Sequence, residues 1–241
     1  MKLELRFSAK DGFLPLDYRP FIMSYFKGAL SKTYTNVFNS LYNKNEIKSK
    51  SFTFSVYFDK AIIDKDRIIL PTNKFKVTIS SYDYATIMYF NNSLLLKCGK
   101  SMNVPLGTSI RLNSVNIAEN SIIKSNEVKI KFLSPLLVRD RVDNHDIYLD
   151  YTALDFNKKL NIVVSNFIDT LPNFYGDRNI FLTPINAKRT VVKNMKLKFN
   201  ASYGEFLLKG NVELLNYLLE SGIGSRRGEG FGMFMVIDNE K

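Results

Sequence analysis

The C-terminal stretch 203–237 reads YGEFLLKGNVELLNYLLESGIGSRRGEGFGMFMVI and predicts three elements in succession. Residues 206–208 favour a strand, and Asn211 then begins a short helix whose leucines recur at helical spacing. Gly222 follows the last turn of that helix, where a left-handed residue commonly ends it. Residues 233–237 predict a closing strand. A strand, a helix and a strand in this order are the last three elements of a βαββαβ unit.

The residues upstream supply the earlier elements of this unit. Val128, Ile130 and Phe132 alternate with charged residues, which is the period of a strand with one buried face. Residues 153–168 carry apolar side chains at helical spacing, and residues 195–199 predict another strand. A hairpin that carries the only histidine, His145, is predicted between the first strand and this helix.

The first half of the chain repeats the same order of elements. The predicted elements are a strand at 3–7, a helix at 17–31, strands at 52–58, 68–70 and 75–79, and a helix at 83–97. Asp17 and Asp83 are the predicted N-caps, because a carboxylate accepts hydrogen bonds from the free N–H groups of a first turn. Residues 33–50 predict a looser segment, and residues 103–118 predict irregular extended chain.

Each half therefore predicts one ferredoxin-like βαββαβ domain. The fold class is predicted to be α+β, with two such RRM-like domains in tandem. We place the boundary in the Asn- and Ser-rich stretch 120–126, which gives an N-terminal domain at 1–122 and a C-terminal domain at 123–241. No short-period sequence repeat accompanies this pattern.

The charge balance favours a polyanionic partner. The 241 residues contain 34 Lys and Arg against 23 Asp and Glu, which gives a formal net charge of +11. Such a surplus on a globular chain favours nucleic acid, through phosphate contacts and counterion release. A membrane surface or an acidic protein fits the same charge, so charge alone does not decide.

The cysteine and histidine counts limit the compartment and the chemistry. Cys98 is the only cysteine, which excludes an intrachain disulfide and favours a reducing compartment. No apolar run approaches the ~18–20 residues that span a bilayer. Because the N-terminus also lacks a signal-peptide core, we expect a cytoplasmic protein without a membrane partner. One His and one Cys nearly exclude a zinc site, and no cofactor is predicted, although carboxylate-held magnesium remains open.

The stretch 222–232 contains five of the chain's 12 glycines and two adjacent arginines. Glycine allows close backbone approach, successive N–H groups can point at an anion, and arginine binds phosphate in a bidentate manner. We therefore predict an RNA-phosphate cradle made of Gly222, Gly224, Ser225, Arg226, Arg227, Gly228 and Gly230. A flexible turn is the alternative. A nucleotide-cofactor loop is disfavoured, because neither GxGxxG after a strand nor GxxxxGK[ST] is present.

Three further pieces precede the stretch 203–237 in a fixed order. They are Leu14-Pro15, Phe52-Thr53-Phe54-Ser55, and Leu133-Ser134-Pro135 with Arg139. Together the four pieces resemble the signatures of the repeat-cleaving CRISPR ribonucleases, the Cas six family, over nearly the whole chain. The resemblance implies two ferredoxin-like domains that bind CRISPR repeat RNA and cut it within the repeat to release guide RNA. It also implies attack of a ribose 2′-hydroxyl on the adjacent phosphate without metal, which leaves a 2′,3′-cyclic phosphate and a 5′-hydroxyl.

Such cleavage needs a base near the 2′-hydroxyl, an acid near the leaving 5′-oxygen and positive charge near the phosphorane. Members of the family commonly supply a His and a Lys ahead of the FTFS-like strand, and often a Tyr on the first helix. The resemblance places Lys50 at the Lys position, Lys44 on or beside the His position and Lys27 near the Tyr position. These three lysines are the predicted catalytic residues of the N-terminal domain, because clustering and burial lower the pKa of a lysine. Ordinary solvated lysines are the alternative.

The usual His is thus absent, and His145 is expected in solvent at its hairpin tip. Further basic residues are predicted to touch RNA, and we expect about half of them to reach phosphate. They are Arg139, Lys188, Arg189 and Lys193.

Three functions compete at this stage. The first is a metal-independent endoribonuclease acting on CRISPR repeat RNA. The second is a diverged member of the family that holds repeat RNA and cuts it slowly or not at all. The third is a structural subunit of a CRISPR ribonucleoprotein complex. Association with further CRISPR-associated subunits and formation of a homodimer are left open.

Overall fold

The computed structural model describes residues 1–42, 49–171, 173–195 and 197–237. The N-terminal half contains β1 (Lys2–Ala9), β2 (Phe13–Pro15), α1 (Arg19–Thr33), α2 (Thr35–Tyr42), β3 (Phe52–Phe58), β4 (Ile62–Asp64), β5 (Arg67–Ile69), β6 (Lys74–Ser81), α3 (Tyr84–Leu95), β7 (Ser101–Asn103) and β8 (Ser109–Ala118). One antiparallel sheet has the order β3-β6-β1-β8-β7, and a small second sheet has the order β2-β5-β4. Helices α1 and α3 contact each other, and α3 contacts the large sheet.

The C-terminal half contains β9 (Glu127–Phe132), β10 (Val138–Val142), β11 (His145–Leu149), α4 (Phe156–Ile168), β12 (Ile180–Asn194), β13 (Leu197–Gly210), α5 (Val212–Ser221) and β14 (Phe234–Val236). Its antiparallel sheet has the order β12-β13-β9-β14, and β10 and β11 form a separate hairpin.

The two sheets share one topology. In each, the four main strands run in the order second, third, first, fourth: β3-β6-β1-β8 in one half and β12-β13-β9-β14 in the other. A helix follows the first strand and another follows the third, which is the ferredoxin-like arrangement. The predicted α+β fold of two tandem ferredoxin-like domains is confirmed.

Each of the two large sheets has its own hydrophobic core, and a third, smaller cluster is formed by residues of the C-terminal half. This third cluster consists of Leu137, Tyr148, Phe199, Ala201 and Phe231. Helix α5 of the C-terminal domain also contacts β3 and β6 of the N-terminal domain. The two domains therefore meet along α5 and the segment that follows it.

Two of the predicted helix caps are confirmed and one is wrong. Asp83 accepts a hydrogen bond from the Ala85 amide at 3.1 Å, and Asn211 accepts bonds from two amides of α5 at 2.9 and 3.2 Å. Asp17 is not a cap, because Tyr18 occupies the N-cap position of α1. Pro20 lies in the first turn, where its fixed φ favours helix initiation, and it places the start after Asp17.

Other differences from the predicted elements lie in segments whose apolar pattern is weak. The predicted loose segment 33–50 contains α2, and the predicted irregular segment 103–118 contains the regular strand β8. The two strands predicted at 195–199 and 206–208 are parts of the single strand β13. Strand β12 was not predicted, because it is an edge strand with mostly exposed residues and a register shift after Pro184, so hydrophobic alternation is lost. None of the helices within the described ranges is long and apolar enough to cross a membrane.

Candidate active site at the domain junction

The glycine-rich loop, residues 222–232, lies between the two domains. It connects α5 to β14, and its central residues contact β3 and α1. Thr53 Oγ1 donates a hydrogen bond to the Phe231 carbonyl at 2.9 Å, and Arg19 Nε donates one to the Gly230 carbonyl at 3.2 Å. The loop is therefore bonded to the N-terminal domain through two of its elements.

Close packing requires glycine at several positions of this loop, and two of them, Gly230 and Gly224, pack against different domains. Gly230 has a φ of +85°, and a Cβ on it would lie 2.5 Å from the ring of Phe54. Gly224 has a φ of +87°, and a Cβ on it would lie 2.5 Å from both Leu136 Cδ1 and the Leu137 carbonyl oxygen. Any side chain at either position would be strained by its backbone and would collide with a neighbour. Glycine at these two positions is thus explained by packing of the loop against both domains.

The structure divides the predicted phosphate cradle into a buried part and a part that faces a cleft. The buried members are Gly222, Gly224, Arg227 and Gly230. The half-buried members are Ser225, Arg226 and Gly228. The buried members join the domains, so their predicted contact with phosphate has no support from this placement. The three half-buried members remain candidates for contact with RNA.

Arg227 is the more buried of the two adjacent arginines, with 5% of the residue exposed. Its Nη1 donates to the carbonyls of Ser221 and Gly222 at 3.4 and 3.5 Å. Its Nη2 donates to Ser49 Oγ and, at 3.0 Å, to the Lys50 carbonyl. Burial lowers the pKa of Arg227 to about 9, which leaves the guanidinium cationic at neutral pH. Both of its terminal nitrogens thus donate to groups of the protein itself.

Arg226 instead lies beside the cleft, held by a carboxylate and a phenol. Its Nη1 donates to both carboxylate oxygens of Glu229 at 3.0 and 3.1 Å, and its Nε donates to the Tyr148 hydroxyl at 2.6 Å. Asn194 Nδ2 donates to the same carboxylate at 2.8 Å. These bonds orient the guanidinium of Arg226, and Glu229 balances part of its charge.

A cleft of about 750 Å³ opens beside the glycine-rich loop and is lined by residues of both domains. Its basic and aromatic lining residues are Lys27, Tyr42, Lys50, Arg139, Arg226 and the buried Arg227, and we call it the junction cleft. Two of the three predicted catalytic lysines, Lys27 and Lys50, are brought together here. The third, Lys44, lies outside the described residues.

The two lysines meet on one aromatic ring. The Lys27 Nζ lies 4.8 Å from the centroid of the Tyr42 ring, and the Lys50 Nζ lies 5.2 Å from it. Both distances are within the range in which a ring face attracts a cation. Burial lowers the pKa of Lys50, and the charge of Lys27 lowers it further. The ring therefore holds two like charges close together, and one of them gives up its proton more readily than an ordinary lysine.

Tyr42 is the residue of this site that the sequence analysis missed. It ends α2, inside a segment predicted to be loose, and Phe38 one turn earlier packs on it with ring centroids 5.4 Å apart. Burial raises the pKa of Tyr42, so its hydroxyl stays neutral. The signal that could have found it is the i, i+4 aromatic pair, which is typical of one face of a helix.

The remaining basic residues divide between three places. Arg139 lines the junction cleft and forms an ion pair with Asp146 at 3.5 Å. The exposed Arg189 donates to Asp150 at 2.9 Å, and Lys188 is exposed next to it on β12. Lys193 lines a separate groove of about 1090 Å³, which lies between the two sheets and which we call the sheet groove. The larger of the two cavities is therefore not the one that holds Lys27 and Lys50.

His145 lies at the first residue of β11, where it pairs with Val142 of β10 and is exposed. It is not among the residues that line the junction cleft. Any proton transfer in this cleft by the described residues therefore depends on groups other than histidine.

Comparison with known proteins gives a family and a relative. The family model for the C-terminal part of the CRISPR associated protein Cas6 matches residues 117–236. A CRISPR-associated endoribonuclease-like protein Cas6 from Pyrococcus furiosus is 23% identical over 197 residues, which are 76% of this chain and 79% of that protein.

Two solved structures share the fold over almost the entire chain. One is described as an RAMP protein binding different RNA substrates and has a TM-score of 0.86 at 19% identity, covering 99% of this chain and 100% of that chain. The other is the product of a Cas6-related gene from Pyrococcus furiosus, with a TM-score of 0.85 at 17% identity, covering 100% of this chain and 99% of that chain. Both solved structures share the fold of this chain, and the family model and the relative are both Cas6 proteins. The chain belongs to the Cas6 family of CRISPR-associated proteins.

Proposed function

We propose that this chain cuts CRISPR repeat RNA in the junction cleft, without a metal ion, by attack of a ribose 2′-hydroxyl on the adjacent phosphate. The observation that carries the proposal is the pair of ammonium groups, from Lys27 and Lys50, on the ring of Tyr42. Arg139 and Arg226 add positive charge to the same cleft from the other domain. A scissile phosphate in this cleft would thus face cations from both domains.

Lys50 is the general base of this proposal and Lys27 is the general acid. The lowered pKa of Lys50 increases the fraction of its neutral amine, which takes the proton of the 2′-hydroxyl. The 2′-oxygen then forms a bond to phosphorus, the bond from phosphorus to the 5′-oxygen breaks, and the Lys27 ammonium protonates that oxygen. Arg226 stabilises the charge on the phosphorane. The products are a 2′,3′-cyclic phosphate and a 5′-hydroxyl.

The sheet groove is proposed to hold the RNA away from the point of cleavage. Four further lysines line it together with Lys193: Lys2, Lys76 and Lys131 of the two large sheets, and Lys60 of the turn after β3. Two of these are balanced by ion pairs, Lys76 with Glu4 and Lys131 with Glu205, both at 3.2 Å. Lys193 in the groove and Lys188 and Arg189 on β12 are proposed to contact phosphates and to contribute affinity rather than rate.

A binding protein that does not cut repeat RNA is the second candidate function. The position of His145 outside the junction cleft favours it, because the described part of the cleft then offers no imidazole for proton transfer. General acid–base groups contribute about 10²–10⁴-fold to a rate. A chain with poorly placed amines would bind repeat RNA, alone or as a subunit of a larger CRISPR complex, and leave it intact.

The two candidates are separated by incubating the purified chain with its cognate repeat RNA in EDTA. The nuclease predicts one cut, products with a 2′,3′-cyclic phosphate and a 5′-hydroxyl, and no cut when the nucleotide before the scissile phosphate is 2′-deoxy. The variants Lys27→Ala and Lys50→Ala should each slow cleavage of bound RNA by about 10²-fold or more. Lys44→Ala belongs in the same series, because Lys44 is the third predicted catalytic lysine.

Lys124→Ala is the matched control, because this exposed lysine lines neither the junction cleft nor the sheet groove. It carries the same loss of charge and is expected to cut at the wild-type rate. Tight, salt-sensitive binding with intact RNA after long incubation would instead establish the binding protein. Cleavage that stops in EDTA and returns with Mg²⁺ would contradict the metal-independent mechanism.

A further inference from the structure

We propose that Arg227 is the positioning residue for Lys50: from the C-terminal domain, it holds the backbone that presents this lysine to the junction cleft. The inference rests on the proposed function, in which Lys50 is the catalytic base. It adds that the active geometry is assembled across the domain junction by a side chain that does not touch the RNA.

The guanidinium of Arg227 holds the chain on both sides of the bond between residues 49 and 50. Nη2 donates to the Lys50 carbonyl at 3.0 Å and to Ser49 Oγ. Lys50 lies two residues before β3, outside the strand pairing that begins at Phe52. The two bonds from Arg227 therefore fix the direction in which the Lys50 side chain leaves the backbone.

The other side of the guanidinium is anchored in the C-terminal domain. Nη1 lies 3.4 and 3.5 Å from the carbonyls of Ser221 and Gly222, at the end of α5. The ring of Phe167 on α4 lies 3.9 Å from Cζ, which is a close cation–π contact. Arg227 thus connects residues 49–50 to two helices of the other domain.

The stem of Lys50 is held by the same loop. A Cβ built on Gly228 would lie 2.8 Å from Lys50 Cγ and 3.2 Å from Lys50 Cβ. The first two carbons of the lysine side chain therefore lie on the backbone of the residue that follows Arg227. The residue pair 227–228 fixes both the main chain and the first side-chain bonds of Lys50, while the far end of Lys50 rests on Tyr42.

A planar fork of donors is required for this arrangement. One guanidinium donates to carbonyls of both domains and lies over the ring of Phe167, whereas an ammonium is a compact point charge that cannot serve all of these partners. The variant Arg227→Lys keeps the charge and removes the fork. It therefore separates positioning from electrostatics.

The test compares wild type, Arg227→Lys, Lys50→Ala and the double variant in single-turnover cleavage of bound repeat RNA. A displacement of about 1 Å in a catalytic group costs about 10²-fold in rate, and we expect that loss in Arg227→Lys with RNA affinity unchanged. The double variant should be no slower than Lys50→Ala, because Arg227 acts only through Lys50. If Arg227→Lys slowed the Lys50→Ala enzyme by the same factor as it slows wild type, the proposal would be overturned.

A second readout does not depend on cleavage. The pKa of Lys50 is measured by NMR after ¹³C-methylation of the lysines, in wild type, in Arg227→Lys and in the milder variant Ser49→Ala. Once Lys50 is released from its half-buried place beside Lys27, its pKa should rise toward the ordinary value, more in Arg227→Lys than in Ser49→Ala. If neither variant moves this pKa, Arg227 does not position Lys50. If wild type does not cut RNA, the proposed function fails while this titration still decides the positioning role.

Arg19→Lys is the matched control for the titration. Arg19 is also 5% exposed and also donates to the glycine-rich loop, at the Gly230 carbonyl, but its guanidinium lies between Tyr18 and Phe231. Each variant loses a buried guanidinium that makes hydrogen bonds at this loop, so the melting temperature should fall in both. Of these two arginine variants, only Arg227→Lys should move the pKa of Lys50. An equal shift in Arg19→Lys would mean that the pKa responds to general loosening of the domain junction.

Discussion

Lys50 and Gly228 touch across the domain junction, with the lysine stem lying on the glycine backbone. The contact is close enough that a Cβ on Gly228 would stand 2.8 Å from Lys50 Cγ. Because the backbone of Gly228 is not left-handed, alanine at this position meets a neighbour rather than backbone strain. The neighbour that must move is the proposed catalytic base.

Gly228→Ala should therefore slow cleavage while leaving RNA affinity near the wild-type value. The added methyl group pushes the Lys50 stem aside, and a misplacement of about 1 Å costs about 10²-fold in rate. Single-turnover kinetics and an equilibrium binding assay measure the two effects separately. Gly28→Ala is the matched control, since a Cβ there would meet only the flexible end of Lys97 at 3.3 Å. A Gly228→Ala enzyme with the wild-type rate would show that Lys50 tolerates displacement and is not the base.

The pH dependence of the protein should reveal the interaction between the two lysines. Burial and the charge of Lys27 hold the pKa of Lys50 below its ordinary value of 10.5. Lys27→Met removes the second cause and leaves the first, so the pKa of Lys50 should rise but stay below 10.5, and the rising limb of the cleavage rate should move to higher pH. NMR titration and a pH–rate profile test this. An unchanged pKa in Lys27→Met would contradict the proximity of the two amines.

The same lowered pKa affects stability with a defined sign. Between the folded and unfolded pKa values of Lys50, the unfolded chain binds more protons, so the free energy of unfolding rises with pH across that interval. Below this interval Lys50 is protonated in both the folded and the unfolded state, so the folded state bears the full free-energy cost of a half-buried charge. Lys50→Met should remove this pH dependence, which denaturant titrations at several pH values would measure. A slope that survives in Lys50→Met would come from another group.

The fold could be predicted where apolar residues follow a strict period. Strand β1 alternates Leu3, Leu5 and Phe7 inward, and all three are fully buried, so the pattern alone was sufficient. Strand β12 has no such alternation, because it is held by pairing with β13 along its length and exposes most of its side chains. Its existence depends on a partner strand, which a local pattern does not contain.

The candidate site could be predicted only in part. The resemblance placed Lys27 and Lys50 in one site, and the structure brings them to one ring. The composition of the glycine-rich loop predicts a phosphate cradle. The backbone turn at these residues, however, buries Arg227 and leaves its neighbour Arg226 more exposed. Two adjacent arginines look alike in a sequence. Only their tertiary surroundings show that Arg227 is buried between the domains while Arg226 lies beside the cleft.

Tyr42 should matter for its ring and not for its hydroxyl. Tyr42→Phe keeps an aromatic face for the ammonium groups of Lys27 and Lys50, so its cleavage rate should stay within a few-fold of wild type. Tyr42→Leu fills similar space without a π-face, and two contacts of about 0.5–1 kcal/mol each are lost. We expect about a tenfold slower rate in Tyr42→Leu, measured in single turnover. Equal losses in both variants would instead assign the role to the hydroxyl.

Glu229 should limit how tightly the junction cleft binds RNA. Its carboxylate accepts two bonds from Arg226 and one from Asn194, so phosphate must compete with it for the same guanidinium. Glu229→Gln keeps a side chain of the same shape with an oxygen acceptor but removes the charge, which releases Arg226 to phosphate. Affinity for repeat RNA should rise, and the salt dependence should steepen by about 0.7 in log–log slope, the value for one added contact to a single strand.

Glu213→Gln is the matched control, because this exposed residue of α5 makes the same change in net charge away from the junction cleft. An equal steepening in both variants would mean that the added affinity comes from net charge alone, and that Arg226 does not meet the RNA.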